Sequence, residues 1–233
     1  MDFQLAPPKK SITDQAYEVL RAEILTCRLQ PGSQIAQNQL VEQFDLGLTP
    51  VREALKRLEM EGFVQSIPRF GYIITPITHK DVEEIYELRI VLETAAVRLA
   101  TKRASDEMLS VLAKSATFSY QYHDTQSYQE FLEQNKMFHI TIALLARNQH
   151  MADILANLLD KSHRMFHAGL ELRDSSEEMQ REHLDLVNAM MARDADRAAQ
   201  LCEEQIITSS ERIFEMLQNR QDRSASLISY LGQ

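Results

Sequence analysis

Apolar residues recur at helical spacing in three short stretches near the start of the chain, and two β-type stretches follow them. A helix is predicted from Ser11, where Ser-Ile-Thr-Asp resembles a capping box, to about Leu25. A second is predicted at about 37–44. A third starts where Thr49 can cap and Pro50 can take the first helical position. "FVQSI" and "YIITPI", around "PRFG", predict a two-stranded hairpin.

This order of elements, with a hairpin after three helices, is typical of a winged helix-turn-helix, whose third helix enters the DNA major groove. In that helix Val51, Leu55 and Leu58 form the buried face. Arg52 lies near its start, where it can donate to guanine O6 and N7 or to a phosphate. The alternative is an ordinary amphipathic helix with solvated basic residues.

From Thr78 onward the pattern predicts helices joined by short polar loops, as in an antiparallel bundle. The fold class is therefore mainly α, with a winged helix-turn-helix of three helices and a two-stranded wing, followed by an all-α bundle. The predicted bundle helices span about 78–102, 105–122, 126–147, 149–169, 176–192 and 195–219. The predicted domains are a flexible arm (1–10), a DNA-binding domain (11–77), a helical effector-binding and dimerisation domain (78–221) and a frayed tail (222–233).

Polar residues interrupt the apolar faces of four bundle helices. They are Arg89, Asn135, His139, His183 and Gln205. Buried polar groups cost free energy unless they are partnered, so this set predicts a shared polar cavity that binds an effector. The alternative is that each is satisfied locally in the core. For Arg89, which can clamp a carboxylate, the alternative is an ion pair with Glu93. His163 and His167, four residues apart, indicate core or solvated histidines, with effector contact as the alternative.

Charge and composition refine this division. The net charge is −9, of which residues 1–77 carry −1, so a basic face on the first part is compatible with the acidic whole. Cys27 and Cys202 lack metal-type spacing and predict reduced thiols. Neither a secretory pattern nor an apolar run long enough for a bilayer is present, so we expect a cytoplasmic protein without membrane contact.

Three stretches, "ITDQAYEVLRAEILTCRLQPGSQI", "TPVREALKRLEMEGFV" and "PRFGYIIT", resemble the DNA-binding domain of GntR-type bacterial transcription regulators. Three later ones, "DVEEIYELRIVLETAAVRLA", "NKMFHITIALLARNQHMADIL" and "REHLDLVNAMMARDADRAA", resemble the FCD-type helical domain of the family's FadR-like branch. The resemblance implies DNA contacts from Asn38, Leu48, Thr49, Arg52 and the wing around Arg69 to Gly71. The chain departs from the family where Gly47 and Leu48 replace serine or threonine and arginine, and where Cys27 replaces glycine.

The resemblance also implies a divalent metal, such as Zn, Ni or Mn, held by an aspartate, a histidine four residues on and two later histidines. Those positions are Asn135, His139, His183 and Gln205 here. Two imidazoles and two amides offer a dication no negative charge. A metal at Asn135, His139 and His183 is therefore a degenerate site. A metal-free pocket, or one completed by an anionic effector, is expected instead.

Together these features predict a ligand-responsive transcriptional regulator, with repression relieved by the effector as the logic that the resemblance implies. A homodimer would bind a pseudo-palindromic double-stranded operator, sense a small carboxylate and hinge at residues 74–80. No catalytic residue is predicted. One alternative is a metal-dependent enzyme using His139 and His183, which lacks an evident general base. Another is an architectural DNA-binding protein without an effector.

Overall fold

The computed structural model describes residues 10–167 and 174–231, and the chain divides into two compact units, Met1–Ile77 and Thr78–Gln233. The elements of the first unit are α1 (Ile12–Leu25), β1 (Gln34–Ile35), α2 (Gln37–Phe44), α3 (Leu48–Met60), β2 (Val64–Ile67) and β3 (Gly71–Ile74). The elements of the second unit are α4 (His79–Arg103), α5 (Asp106–Lys114), α6 (Thr125–Leu145), α7 (Gln149–His167), α8 (Ser176–Met191) and α9 (Ala195–Leu231).

The helices of the first unit begin at local signals in the sequence. Ser11 caps α1, since its Oγ accepts a hydrogen bond from the backbone N–H of Asp14 at 3.0 Å. The prediction that Thr49 caps α3 is wrong: α3 begins at Leu48, and its N-cap is Gly47, which makes no side-chain cap. Pro50 is thus the third helical residue, a position whose N–H has no intrahelical partner, so proline costs no hydrogen bond there.

The wing belongs to a three-stranded antiparallel sheet with the order β1-β3-β2. Strand β3 pairs with β2, as the hairpin prediction required, and also with β1, through Gln34 opposite Ile73. Strand β1 was not predicted from the sequence. Gly71 has a φ of +97°, and a Cβ added there would lie 2.6 Å from the carbonyl oxygen of Ile35, so this crossing of strands requires glycine.

In the second unit α4 makes its most extensive contact with α9 and also packs against α6, α7 and α8. A capping box starts α4, because Thr78 Oγ1 accepts from the N–H of Asp81 while the Asp81 carboxylate accepts from the N–H of Thr78. None of the helices in the described part of the chain is both long and apolar enough to cross a membrane.

Two predicted ranges in the second unit differ from the structure. The helix predicted over 105–122 ends at Lys114, and the chain that follows is held by reciprocal contacts with the start of α8. Tyr120 N–H donates to Ser176 Oγ at 3.1 Å, and Ser175 N–H donates to Tyr120 OH at 2.9 Å. The second difference is that α9 continues to Leu231, through residues that the sequence analysis assigned to a frayed tail.

Candidate functional sites in the two units

The basic side chains of α3 have different partners. Arg57 lies 3.6 Å above the ring of Tyr17 on α1 and is 3.4 Å from the carboxylate of Glu61, so it fastens α3 to α1. Lys56 pairs with Glu53 at 2.9 Å. Arg52 is exposed and makes no ion pair or hydrogen bond within residues 10–167 and 174–231. Of these three, Arg52 alone is without a partner in the described part of the chain.

The other predicted DNA-binding residues lie on three neighbouring elements of the same unit. Asn38 is exposed on α2, and Thr49 is exposed in the first turn of α3. Arg69 is exposed at the turn between β2 and β3, where its φ of 72° lies in the left-handed region. Gly71 lies too close to the backbone of β1 for a residue with a side chain, so its being glycine is explained by packing within the sheet.

In the second unit, side chains from five helices surround a small polar cavity of about 10 Å³, which is room for one water molecule. Its lining comprises Arg89, Asn135, His139, Phe166, Met179, Glu182, Gln205, Ser209 and Arg212. Four of the five predicted polar residues thus meet there. The fifth, His183, lies behind the lining, with its ring centroid 5.5 Å from that of His139.

Glu93 joins two of the predicted residues. Its carboxylate accepts a hydrogen bond from Arg89 Nε at 2.7 Å, so the ion pair raised as an alternative for Arg89 is present. The other carboxylate oxygen lies 2.7 Å from His139 Nδ1 but is not aligned with it as a hydrogen bond. Burial opposes ionisation of Glu93, but Arg89 and His139 outweigh it and lower its pKa to about 2. Glu93 is therefore a buried anion.

Several buried polar atoms at the cavity lack hydrogen-bond partners among the residues that the structure describes. Arg212 uses Nη2 to reach Glu182 at 2.8 Å, while its Nε and Nη1 have no partner. Gln205 Oε1 and Glu182 Oε2 are also unsatisfied. Each such atom costs about 1–3 kcal/mol, so a cluster of them indicates a place where a bound polar molecule completes the hydrogen bonding.

His183 is fully buried, and neither of its ring nitrogens makes a well-aligned hydrogen bond within the described ranges. Burial lowers its pKa well below the ordinary value, so the ring is neutral. Phe118 and Phe138 pack against it, each with its ring centroid 4.8 Å from the imidazole. The ring is thus covered by one aromatic side chain from α6 and one from the segment between α5 and α6.

The metal that the family resemblance implies does not fit this donor set. Asn135 and Gln205 are neutral amides, and the imidazole of His139 already lies against Glu93. In the described part of the chain no group of three or more His, Cys, Asp or Glu side chains is arranged to hold a metal ion. The structure therefore gives no support to a metal at Asn135, His139 and His183, since these residues bring no anionic ligand.

His163 is a core residue rather than part of the cavity lining. Its Nε2 hydrogen-bonds the backbone carbonyl of Leu132, which fixes α7 against α6. Burial lowers the pKa of His163 to about 3, so it is neutral at physiological pH. The interpretation of His163 as structural is the one that these contacts favour.

Glu93 was named from the sequence only as a possible partner of Arg89, and Glu182 and Arg212 were not predicted. All three are charged, and charged residues on amphipathic helices usually face solvent, so only their spacing could have drawn attention to them. Glu93 follows Arg89 by one helical turn. Arg212 follows Gln205 by seven residues, which places both on one face of α9.

A winged helix-turn-helix followed by a helical unit with an incompletely satisfied polar cavity defines a DNA-binding regulator that carries its own sensor domain. Comparison with protein families agrees with this class. The model for bacterial regulatory proteins of the gntR family matches residues 12–74, and the FCD domain model matches residues 84–208. The chain belongs to the GntR family of transcriptional regulators and carries an FCD domain, so it is a regulator rather than an enzyme.

Individual relatives are consistent with this membership. The uncharacterized HTH-type transcriptional regulator YdhC of Bacillus subtilis (strain 168) is 33% identical over 70% of this chain and 72% of its own length. The HTH-type transcriptional repressor RspR of Escherichia coli (strain K12) is 24% identical over 92% of this chain and 94% of its own length. The solved structure of E. coli McbR/YncC has a similar fold, with a TM-score of 0.74 at 20% identity over 88% of this chain and 98% of that one.

Proposed function

We propose that this regulator is a cytoplasmic repressor that binds its operator as a homodimer and releases it when a small organic acid enters the polar cavity. One observation carries the proposal, namely the cluster of unsatisfied polar atoms on Arg212, Gln205 and Glu182. That RspR, its relative of similar length, is named a repressor supports the direction of regulation.

The state of the two cavity arginines indicates where a carboxylate would bind. Arg89 is already neutralised by Glu93. Arg212 contacts Glu182 and Glu178 through Nη2 only, which leaves Nε–H and Nη1 without a partner in the described residues. Each of these two groups can donate a hydrogen bond to an oxygen of a carboxylate. Gln205 Oε1, an acceptor, suits a hydroxyl group on the same ligand.

The small size of the cavity indicates how binding of the effector can change the affinity for DNA. With room for about one water molecule, it must expand to admit an organic acid. Expansion separates some of the five helices that surround it, and α4 is one of them. Because α4 starts at the boundary of the two units, about 16 Å from Arg89 along the helix axis, a shift of α4 is transmitted to residues 74–80. The effector then lowers DNA affinity by favouring one disposition of the DNA-binding units.

The homodimer of this proposal is supported by the way in which helix-turn-helix proteins bind DNA and by a candidate surface on α4. Helix-turn-helix proteins match pseudo-palindromic sites by two-fold symmetry. On α4, Leu88 and Val91 are 51% and 65% exposed, one turn apart. An apolar stripe of this kind suits a partner helix of a second copy.

Ligand-induced stabilisation of purified protein tests the sensor. The wild-type protein is heated with a panel of hydroxy acids and with the corresponding neutral alcohols and amides. We expect at least one acid, but not its neutral analogue, to raise the melting temperature and to release an operator fragment in a gel-shift assay. Arg212→Gln should abolish both effects, because the unpartnered guanidinium donors are lost.

The matched control is Arg197→Gln, which removes a half-exposed arginine from the same helix. It should retain both responses. A neutral compound that acts as well as the acid would contradict the proposal, as would an Arg212→Gln protein that still responds. A panel without any effect, combined with tight binding to DNA of any sequence, would favour the architectural alternative.

A further inference from the structure

The first residue of the recognition helix is apolar and open to solvent. Leu48 starts α3 and is 43% exposed, outside the core cluster of its unit. We propose that Leu48 reads sequence by contacting the 5-methyl group of a thymine in the operator. The inference rests on the DNA-binding role that family membership gives the first unit and goes beyond it by naming the base.

The position of Leu48 places it where bases are read. In helix-turn-helix proteins the second helix of the motif lies in the major groove, and its N-terminal residues contact base edges. That helix is α3 here, so Leu48 and Thr49 lead into the groove. Arg52 is one turn further along the same face as Leu48 and is not engaged elsewhere in the described residues. The reading face thus presents an apolar side chain beside a free guanidinium.

The chemistry of leucine selects among the bases. Its side chain neither donates nor accepts hydrogen bonds, so guanine O6 and N7, or the adenine N6 and N7 groups, would lose water without gaining a partner. Thymine instead presents a methyl group in the major groove. An arginine at this position would favour guanine. We therefore expect leucine here to favour an A·T pair where arginine would favour a G·C pair.

Leu48 is not needed to hold α3 in place. The helix is anchored by Val51, Ala54, Leu55 and Leu58, all fully buried. Substitution at Leu48 therefore tests DNA recognition without removing core packing. Met60, at the far end of α3 and 83% exposed, offers a matched apolar position that does not lead into the groove.

The experiment begins with selection of binding sites from a random duplex library by full-length wild-type protein and by Leu48→Arg. We expect the wild-type protein to select a thymine at one position of each half-site, and Leu48→Arg to select guanine at the same position. Replacing that thymine with deoxyuridine removes only the methyl group. The affinity of the wild-type protein for each duplex is then measured by fluorescence anisotropy at fixed salt. We expect deoxyuridine to reduce it about fourfold for each methyl group contacted, because burial of one carbon contributes about 0.8 kcal/mol.

Substituted proteins separate this contact from general DNA binding. Leu48→Ser should bind thymine and deoxyuridine duplexes equally, while Met60→Ser should keep the wild-type difference. Arg52→Ala should weaken binding to both duplexes by the same factor, since its contact does not involve the methyl group. Thermal unfolding checks that each protein is folded. Equal wild-type binding to thymine and deoxyuridine, or an unchanged site selected by Leu48→Arg, would overturn the proposal.

Discussion

Part of the acid sensitivity of the helical unit should depend on His163. His163 is buried, is bonded to the carbonyl of Leu132, and has a pKa lowered by burial to about 3 from 6.5. Between these values the unfolded chain binds a proton at His163 and the folded chain does not. Stability from this residue is therefore complete above pH 6.5 and is lost progressively as the pH falls towards 3.

The size of the effect follows from the shift. A pH of 5 lies about 1.5 units below the ordinary pKa of 6.5, so His163 is mostly protonated in the unfolded chain, whereas it remains neutral in the folded protein. At about 1.4 kcal/mol per pH unit, protonation of His163 in the unfolded state lowers the free energy of unfolding at pH 5 by about 2 kcal/mol relative to pH 7.5. Glu93 acts in the same direction, because its folded pKa of about 2 lies below its ordinary value of 4.5, but most of that loss falls below pH 5. Its contribution is the same in wild type and in variants at His163.

Urea unfolding at pH 7.5 and pH 5, followed by circular dichroism at one protein concentration, measures the loss. His163→Gln retains a donor for Leu132 but does not titrate, so we expect it to lose about 2 kcal/mol less than wild type. His150→Gln, at an exposed position, should behave as wild type. His183 is present in all three proteins, so its contribution cancels. Equal losses in wild type and His163→Gln would refute the assignment of His163 as a neutral core residue.

Three further substitutions test the backbone and the caps, each by thermal or urea unfolding. Gly71→Ala should cost the DNA-binding unit at least about 2 kcal/mol, since the added Cβ would meet the Ile35 carbonyl at 2.6 Å; Gly32→Ala, with a similar φ but open space, should cost less. Cys27→Gly should stabilise by up to about 1 kcal/mol, because Cys27 has a φ of 54°. Thr78→Ala should destabilise the helical unit by about 1 kcal/mol through loss of the capping box.

Local signals explain which parts of the fold could be predicted. The caps at Ser11 and Thr78 depend on residues three positions apart, and the structure has both. Strand β1 could not be found in this way, because two residues carry no periodicity and their pairing partner, β3, is almost forty residues away. The end of α5 was misplaced because the contacts of Tyr120 with the start of α8 are equally non-local.

The same distinction holds for the cavity. Asn135, His139 and Gln205 stood out because neutral polar residues on apolar stripes are unusual, and all three line it. Arg212 and Glu182 did not stand out, because a charge on an amphipathic helix normally faces water. Their burial depends on how α8 and α9 pack, which no single helix encodes. Sequence thus indicated where the cavity is, and packing decided which charged residues line it.

The short strand β1 also has a consequence for protein engineering. The wing hairpin does not stand alone, since β3 is held between β2 and the Gln34–Ile35 segment. A chimera that takes only its hairpin from another regulator would leave the grafted strand facing a foreign neighbour. Transferring the segment between α1 and α2 together with the hairpin would keep the three strands matched, so the modular unit is larger than the wing.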